Sequence, residues 1–306
     1  MKVNILHFAT IVLASIFISC EKNQPIDSEN TIDVRLSLNG DVEFIDEPMT
    51  KAWGESNSVY GIKVYVYNEN VNSYDPYAYG IFTSASNLSI TLTTTKKYKF
   101  EAAYLKDFTN TYSFIDSNQY RAFTEPTNGF VYGSNYFFPY LWGYFSTSNS
   151  KKTDFIESDF YYGSIADYVP SSTCSITLYR KSFGIDLTIE GMKEGRVECL
   201  LSTMKGANYF MDLSVAYPQT TVSKIYSHKD FISTNTQEWY LEINYISPSS
   251  NKTSIASEKL SFATGTRKKI LVKLKSNEPV ETSNQVSISL SDGGLSDEQL
   301  EYQGTI

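Results

Sequence analysis

Residues that could support catalysis are scarce in this sequence of 306 residues. Its two histidines are His7, in the apolar N-terminal run, and His228, in a polar stretch. Nucleophilic sites of the Ser-His-Asp or Cys-His type need a histidine held as a general base, and a histidine in a polar loop is more often solvated. No HExxH, P-loop or GxGxxG motif stands in context, and the acidic residues from Asp292 to Glu301 lack EF-hand spacing. We therefore expect no enzyme activity, no cofactor and no metal site.

Cys20 has the most specific chemistry in the chain. An apolar run from Ile5 to Ile18 follows the positively charged Lys2. Ser19 separates this run from Cys20. A positive start, a short apolar run and a small residue before the cut are typical of a secretory signal, and the run is shorter than the roughly 20 residues that span a bilayer. A small residue directly before a cysteine resembles the bacterial lipobox, which implies that the Cys20 thiol carries diacylglycerol. The alternative is an ordinary signal peptide whose cysteine is incidental.

The charge and the two remaining cysteines narrow the function classes further. A net charge of −8 and a pI near 5.0 argue against a nucleic-acid partner, which requires a basic face. Cys174 and Cys199 each stand in phase with aliphatic residues of an alternating segment, so both are expected to point into a core. They are either two buried thiols or a disulfide, which an oxidising exterior permits.

Period-two alternation of apolar and polar residues predicts an all-β protein. The first alternating segment carries Ile32, Val34, Leu36 and Leu38. Many short strands separated by turn residues favour two tandem β-sandwiches. A second set of strands is expected to begin at Cys174, and the last strand is expected over Gln285 to Leu290. The predicted organisation is a signal peptide at 1–19, a polar tether at 20–30, an N-terminal sandwich at 31–168 and a C-terminal sandwich at 169–306.

Several segments together resemble the fimbrillin-type surface lipoproteins of Bacteroides and its relatives, a family that includes type V pilins and fimbrial accessory and anchor proteins. The segments are Ser19-Cys20, Met49 to Ala52, Tyr60 to Tyr67, Tyr77 to Phe82, Tyr98 to Glu101 and Leu178 to Gly184. The resemblance implies transthyretin-like domains within the broader immunoglobulin-like class of sandwiches. It also implies a lipid-anchored location at the outer membrane and cell surface or in the fimbrium, with other fimbrial subunits as partners.

In pilin members of that family a trypsin-like protease cuts after a basic residue in the loop that follows the first strand, and a strand of the next subunit fills the groove. Anchor and accessory members keep the lipid. Carried over to this sequence, the processing site is Lys51-Ala52, although pilin members often have arginine at the position of Lys51. The exchanged strand is the segment Ile32, Val34, Leu36 and Leu38, and the donor strand is Val286, Ile288 and Leu290. The alternative is that both segments are ordinary sheet strands.

Aromatic residues suggest a second function class. Tyr74, Tyr77 and Tyr79 form one cluster in the sequence, and Tyr140 and Trp142 belong to another. Exposed, coplanar rings stack on sugars, so a glycan-binding outer-membrane lipoprotein that recognises host or dietary glycans is the alternative function. The same residues could instead pack in the core or along a sheet edge.

Overall fold

The structure is a computed structural model that describes residues 30–40, 58–106, 126–127, 129–133, 145–146, 151–152, 155–203, 211–275, 287–289 and 296–305. These residues form β-strands and one short 3-10 helix at Lys229–Ile232, and no α-helix occurs among them. The predicted all-β class is therefore confirmed. Within the same ranges, no helix has the length and apolar character needed to cross a bilayer.

One eight-stranded sheet contains eight of the eleven strands that are described up to Arg180. Its strands run in the order β4-β1-β11-β10-β5-β2-β3-β6, and a separate pair is formed by β7 and β8. In chain order these strands are β1 (Thr31–Gly40), β2 (Ser58–Asn68), β3 (Ser73–Phe82), β4 (Ser89–Thr93), β5 (Tyr98–Lys106), β6 (Val131–Tyr132), β7 (Phe145–Ser146), β8 (Lys151–Lys152), β9 (Phe155–Ile156), β10 (Phe160–Tyr168) and β11 (Thr173–Arg180). All neighbours in the eight-stranded sheet are antiparallel except β1 and β11, which run parallel.

Two further sheets contain the remaining strands. The strands are β12 (Ser182–Glu190), β13 (Arg196–Ser202), β14 (Met211–Asp212), β15 (Val215–Ala216), β16 (Thr221–His228), β17 (Thr236–Ile246), β18 (Lys252–Ala263), β19 (Thr266–Lys275), β20 (Ser287–Ser289) and β21 (Ser296–Thr305). A six-stranded sheet has the order β20-β21-β19-β12-β16-β9, and a five-stranded sheet has the order β14-β13-β17-β18, with β15 paired to β13. One buried cluster joins Leu187 and Ile270 of the six-stranded sheet with Cys199 and Leu241 of the five-stranded sheet. Two sheets that share a core in this way form a β-sandwich.

A second core lies inside the eight-stranded sheet. Ile90 of β4 and Ala78 of β3, from opposite ends of the strand order, belong to one buried cluster with Val34, Ile62 and Phe100. Strands this far apart in a sheet can share a core only if the sheet curls around it, which the ordinary twist of β-sheets favours. The alternation that was visible in the sequence explains which side chains enter this core.

The chain leaves the eight-stranded sheet at Lys181. The expectation that a second set of strands begins at Cys174 is wrong, because β11 pairs with β1 and β10 and the new sheet begins with Ser182. Period-two alternation identifies a strand but not its partner, and this is why the sequence misassigned β11. The division into two domains at residue 169 stays a prediction. The eight-stranded sheet continues beyond that residue to Arg180.

The C-terminal end contains a strand that the sequence did not predict. The expected last strand over Gln285 to Leu290 is described as β20, and the later β21 pairs in parallel with β19 along its whole length. Its segment is acidic, and Leu300 and Tyr302 are its only alternating apolar pair, so it lacks a strong strand pattern. The pairing of this segment is explained by its basic partner β19, because the register places Asp297 and Glu298 opposite Arg267 and Lys268. Opposite charges at facing positions favour pairing of two strands.

Candidate functional site

Strand β1 lies inside the eight-stranded sheet, between β4 and β11. Its first half, Thr31 to Arg35, pairs antiparallel with β4, and its second half, Arg35 to Gly40, pairs parallel with β11. Where the two halves meet, Arg35 N–H donates to Ser172 O at 3.0 Å, next to β11, and Leu36 N–H donates to Leu88 O at 2.9 Å, next to β4. The strand is therefore held by one ladder on each half, which is a staggered arrangement.

The two faces of β1 differ as its alternation predicts. Val34, Leu36 and Leu38 are buried in the curled core and Ile32 packs against it. The opposite face is exposed and polar, with Thr91 Oγ1 donating to Asp33 Oδ1 at 2.6 Å and Asn39 Nδ2 donating to Ser175 Oγ at 2.5 Å. Full burial of an aliphatic side chain contributes about 1.5–3 kcal/mol. The aliphatic face therefore stabilises β1 in its groove together with the two backbone ladders.

The groove beneath β1 contains one of the two cysteines. Cys174 lies opposite Leu36 in the ladder and is buried in the curled core, whereas Cys199 is buried in the core of the sandwich. Both are free thiols, so the structure agrees with two buried thiols and not with a disulfide. Burial raises the pKa of each thiol to about 12. Each thiol is therefore inert to thiol reagents as long as its core stays closed.

A glycine allows β1 to end close to β11. A Cβ atom at Gly40 would lie 2.3 Å from the backbone oxygen of Leu178, a distance that real Cβ atoms do not adopt. The register places Gly40 directly opposite Leu178, at the end of the parallel ladder. A larger residue at position 40 would therefore push β1 away from its partner strand.

Of the other predicted site residues, the structure describes Tyr74, Tyr77, Tyr79 and Ile288. Cys20, Lys51, Ala52, Val286 and Leu290 lie outside the described residues, as do Tyr140 and Trp142. Ile288 lies in β20, which pairs with β21 at the margin of the six-stranded sheet, and its register partner is Glu298. The candidate donor strand therefore belongs to a different sheet from the candidate exchanged strand.

The described tyrosines of the aromatic cluster are packing residues. Tyr79 is buried with Val59 and Ile81. The ring of Tyr77 makes edge contacts with Tyr98 and Tyr132, with centroids 5.3 and 5.5 Å apart. Tyr74 OH donates to Asp167 Oδ1 at 2.8 Å and accepts from the Asp167 N–H at 2.9 Å. These three rings do not form the exposed, coplanar surface that stacking on a sugar requires.

A buried polar cluster, which the sequence did not predict, joins the eight-stranded sheet to the six-stranded sheet. Asp159 accepts from Arg180 Nε at 2.9 Å and Arg180 Nη2 at 2.5 Å, and also from Tyr161 OH and Ser182 Oγ. Burial disfavours the charge on Arg180, but the hydrogen bonds and charge of Asp159 prevail and raise the pKa of that guanidinium. The sequence pointed to this cluster only in that Arg180 and Ser182 belong to the segment from Leu178 to Gly184. Nothing in the sequence indicated that Asp159 is their partner.

A hydrophobic cluster reinforces the same junction. Ile156 of β9, which pairs with the six-stranded sheet, is buried with Phe160, Val59 and Leu105 of the eight-stranded sheet. The Lys181 N–H donates to Phe160 O at 2.7 Å, and Ser227 Oγ donates to Ser158 O at 2.7 Å. The two sheets are thus connected by packing and by hydrogen bonds as well as by the chain. In the part of the chain that the structure describes, no group of three or more His, Cys, Asp or Glu residues is arranged to hold a metal ion.

Comparison with known proteins returned structural neighbours alone: no family model matches the sequence, and no curated protein matches it. The fimbrial anchor protein Mfa2 from Porphyromonas gingivalis is 11% identical, with 74% of this chain and 82% of that chain covered and a TM-score of 0.33. The tip fimbrial protein Mfa3 from the same organism is 9% identical, with 73% and 81% covered and a TM-score of 0.32. A candidate cell adhesion protein from Bacteroides eggerthii is 11% identical, with 90% and 97% covered and a TM-score of 0.36.

These neighbours are fimbrial proteins of Porphyromonas and a candidate cell adhesion protein of Bacteroides, the genus that the sequence resemblance named. At TM-scores below 0.5 the likeness decides neither the fold nor the function of this chain. The all-β fold follows instead from the strands and burial described above.

Proposed function

We propose that this chain is a lipid-anchored surface protein of a fimbrium, either a subunit or an accessory or anchor component, and that it assembles by exchange of β1. The observation that supports this most strongly is the position of β1. It is the first described strand of the chain, yet it lies between two partners and fills the curled core with three aliphatic side chains. Residues 41–57, which include Lys51, join it to β2.

Loss of β1 leaves a defined acceptor groove. The backbone groups of β4 over Ser89 to Thr93 and of β11 over Thr173 to Leu178 lose their partners. Ile90, Cys174 and Ile176 lose the aliphatic side chains that cover them. Unpaired strand edges with an apolar trough between them accept an added strand from another chain. The incoming strand must run antiparallel to β4 and parallel to β11.

The segment around β20 is the donor that the chain offers. Val286, Ile288 and Leu290 alternate with polar residues, as do Val34, Leu36 and Leu38 of β1. Ser287 to Ser289 pair with β21 at the margin of their sheet. A donor with the same period can place three apolar side chains in the groove that β1 vacates.

The anchor is supplied by the thiol of Cys20. One acyl chain binds a membrane marginally, whereas a diacylglycerol together with an acylated amine holds a protein for a long time, since each buried CH₂ contributes about 0.8 kcal/mol. A copy that keeps residues 20–40 remains on the outer membrane with its groove filled. A copy cut after Lys51 loses the anchor and β1 together and can enter a filament.

Mass spectrometry of surface material tests this function. Copies in sheared filaments should begin at Ala52, and copies in the membrane should begin at an acylated Cys20. Lys51→Gln should abolish the Ala52 terminus, while Lys193→Gln, in the exposed loop between β12 and β13, should leave it unchanged. Acylated Cys20 in every copy would restrict the role to an anchor or accessory component. Filament copies that all retain residues 31–40 would refute strand exchange.

The thiol of Cys174 provides an independent measurement of the groove. Purified copies that begin at Ala52 should react with a thiol reagent at Cys174. This reaction should stop when the strand of another subunit fills the groove in the filament. Cys199, buried in the sandwich core, is the internal control and should stay protected in both states. Equal protection of Cys174 in copies with and without β1 would show that the groove does not open.

A further inference from the structure

Four segments lie together at one end of the eight-stranded sheet, the end at which the described chain begins. They are Asn30, the turn 69–72 between β2 and β3, the turn 94–97 between β4 and β5, and the segment 167–172, which comprises the last two residues of β10 and the loop to β11. Hydrogen bonds connect them: Thr94 N–H donates to Asn30 O at 2.7 Å, Tyr67 N–H donates to Lys97 O at 2.9 Å, and Tyr74 OH donates to Asp167. This end is called the tethered pole below.

The loops of the tethered pole are fixed relative to one another. Tyr74 binds both the side chain and the N–H group of Asp167. Tyr168 OH accepts from the Ser171 N–H at 3.0 Å and contacts Thr173 O at 3.0 Å, which holds the second loop in shape. Asn72 and Asp167 adopt left-handed φ angles of 51° and 54°. Asparagine and aspartate tolerate that conformation better than other non-glycine residues, so the sequence supports these two tight turns.

Two aliphatic side chains and two lysines are exposed on this pole. Val71 is 62% exposed and Val169 is 58% exposed, and they are among the most exposed large hydrophobic side chains of the described residues. Lys96 and Lys97 are exposed in the adjacent turn. Single exposed aliphatic residues are ordinary on a protein surface. Here, however, both stand in segments that hydrogen bonds connect, and the same pole exposes the two lysines together with two acidic residues, Glu69 and Asp167.

We propose that the tethered pole contacts the lipid surface to which the chain is anchored, with Val71 and Val169 in the interfacial region and Lys96 and Lys97 at anionic headgroups. This inference rests on the proposed anchoring through Cys20. About ten residues separate Cys20 from Asn30, and a fully extended chain of that length spans about 35 Å. A flexible chain of that length has a root-mean-square span of about 17–19 Å. The tether therefore keeps this pole, and not the opposite one, near the bilayer.

A short tether makes weak contacts effective, because it turns binding of the pole into an intramolecular step at high effective concentration. Lysines near an anionic surface add to the attraction. The contact also orients the molecule: Gly40, Ser58 and the junction at Lys181 lie at the other end of the eight-stranded sheet. The six-stranded and five-stranded sheets then face away from the membrane.

Fluorescence quenching by spin-labelled lipid tests the contact. The mature chain is prepared with a hexahistidine tag in place of Cys20, so that nickel-chelating lipid supplies the tether and no reactive thiol remains at that position. Val71→Cys and Val169→Cys carry an environment-sensitive dye, since Cys174 and Cys199 are buried. On vesicles of phosphatidylethanolamine and phosphatidylglycerol, dye at both positions should shift to the blue and be quenched severalfold more than dye on Val131→Cys, an exposed valine on β6.

Equal quenching at positions 71, 169 and 131 would overturn the proposal, as would quenching at 131 alone. Lys96→Glu combined with Lys97→Glu should reduce quenching at position 71 on these vesicles but not on vesicles of neutral phosphatidylcholine. Protection of the dyes that requires a second protein instead of lipid would assign the pole to a protein partner and refute a lipid contact. Failure of the anchoring itself is detected separately, by mass spectrometry of Cys20 in the native protein.

Discussion

Leu36 and Cys174 face each other across the parallel ladder of β1 and β11, and both side chains are buried in the curled core. A strand from the very start of the described chain therefore covers a thiol located more than a hundred residues later. Because burial raises the pKa of Cys174 to about 12, its reactivity reports whether β1 is in place. The relationship links a step of assembly to a chemical measurement.

Leu36→Ala should loosen β1 without removing it. Truncation of a buried leucine destabilises a protein by about 2–5 kcal/mol, because transfer energy is lost and a cavity remains. We expect faster labelling of Cys174 and a lower melting temperature. Ser37→Ala, on the exposed face of the same strand, is the matched control and should change either value little. Equal labelling rates for the two variants would show that β1 does not gate access to Cys174.

Ile288→Asp should block assembly and leave the monomer folded. If β20 is the donor, the aspartate carboxylate would enter the apolar groove between β4 and β11, where an unpaired charge is strongly disfavoured. Ser287→Asp places the same charge on the neighbouring position, which points to the other face of the strand. Filament yield by electron microscopy and melting temperature of the monomer are the two measurements. Unfolding of the Ile288→Asp monomer would identify Ile288 as a core residue instead.

The alternation of β1 shows what the sequence could predict. Its polar and apolar residues gave the strand, its two faces and the burial of Val34, Leu36 and Leu38, because period two depends on the residues of one strand alone. The placement of β11 in the eight-stranded sheet was missed, because the choice of partner depends on residues far away in the chain. Strand β21 was missed for a related reason: its facing charges on β19 become visible only in the register.

The same distinction applies to the candidate site. The segment Arg180 to Ser182 was noticed as part of a pattern, but its function as a connection between sheets depends on Asp159. Likewise, Tyr79 belongs to an aromatic cluster in the sequence, and its burial follows from Val59 and Ile81 on the same face of adjacent strands. A cluster of tyrosines in the sequence shows only the local composition, whereas the exposure of each side chain depends on its neighbours across the sheet.

Asp159→Ala should weaken the junction between the sheets. It leaves Arg180, whose side chain is 23% exposed, without the carboxylate that accepts two of its hydrogen bonds. Removal of one partner of a buried ion pair costs about 3–5 kcal/mol, and the partial exposure of Arg180 places the expected loss at the lower end. Glu238→Gln, which breaks the exposed pair with Lys259, is the control and should cost much less, because water screens exposed ion pairs. Chemical denaturation of both variants measures the difference, and similar losses would refute a structural role for the Asp159 cluster.

Lys63 should make stability depend on pH in the alkaline range. Its side chain is 1% exposed and 3.4 Å from Glu101, and burial lowers its pKa to about 8 against the attraction of that carboxylate. Between pH 8 and the unfolded value near 10.5, the unfolded chain binds more protons at this residue than the folded one, so its contribution to stability rises with pH. Each pH unit in that window corresponds to about 1.4 kcal/mol.

We therefore expect the free energy of unfolding of the wild type to rise relative to Lys63→Met by about 2 kcal/mol between pH 8 and pH 10, measured by urea denaturation. The same series on Lys259→Met should show no rise with pH, because the hydrogen bond and the charge of Glu238 raise the pKa of that exposed lysine. A flat difference for Lys63→Met as well would show that the ammonium group stays charged in the folded protein throughout this range.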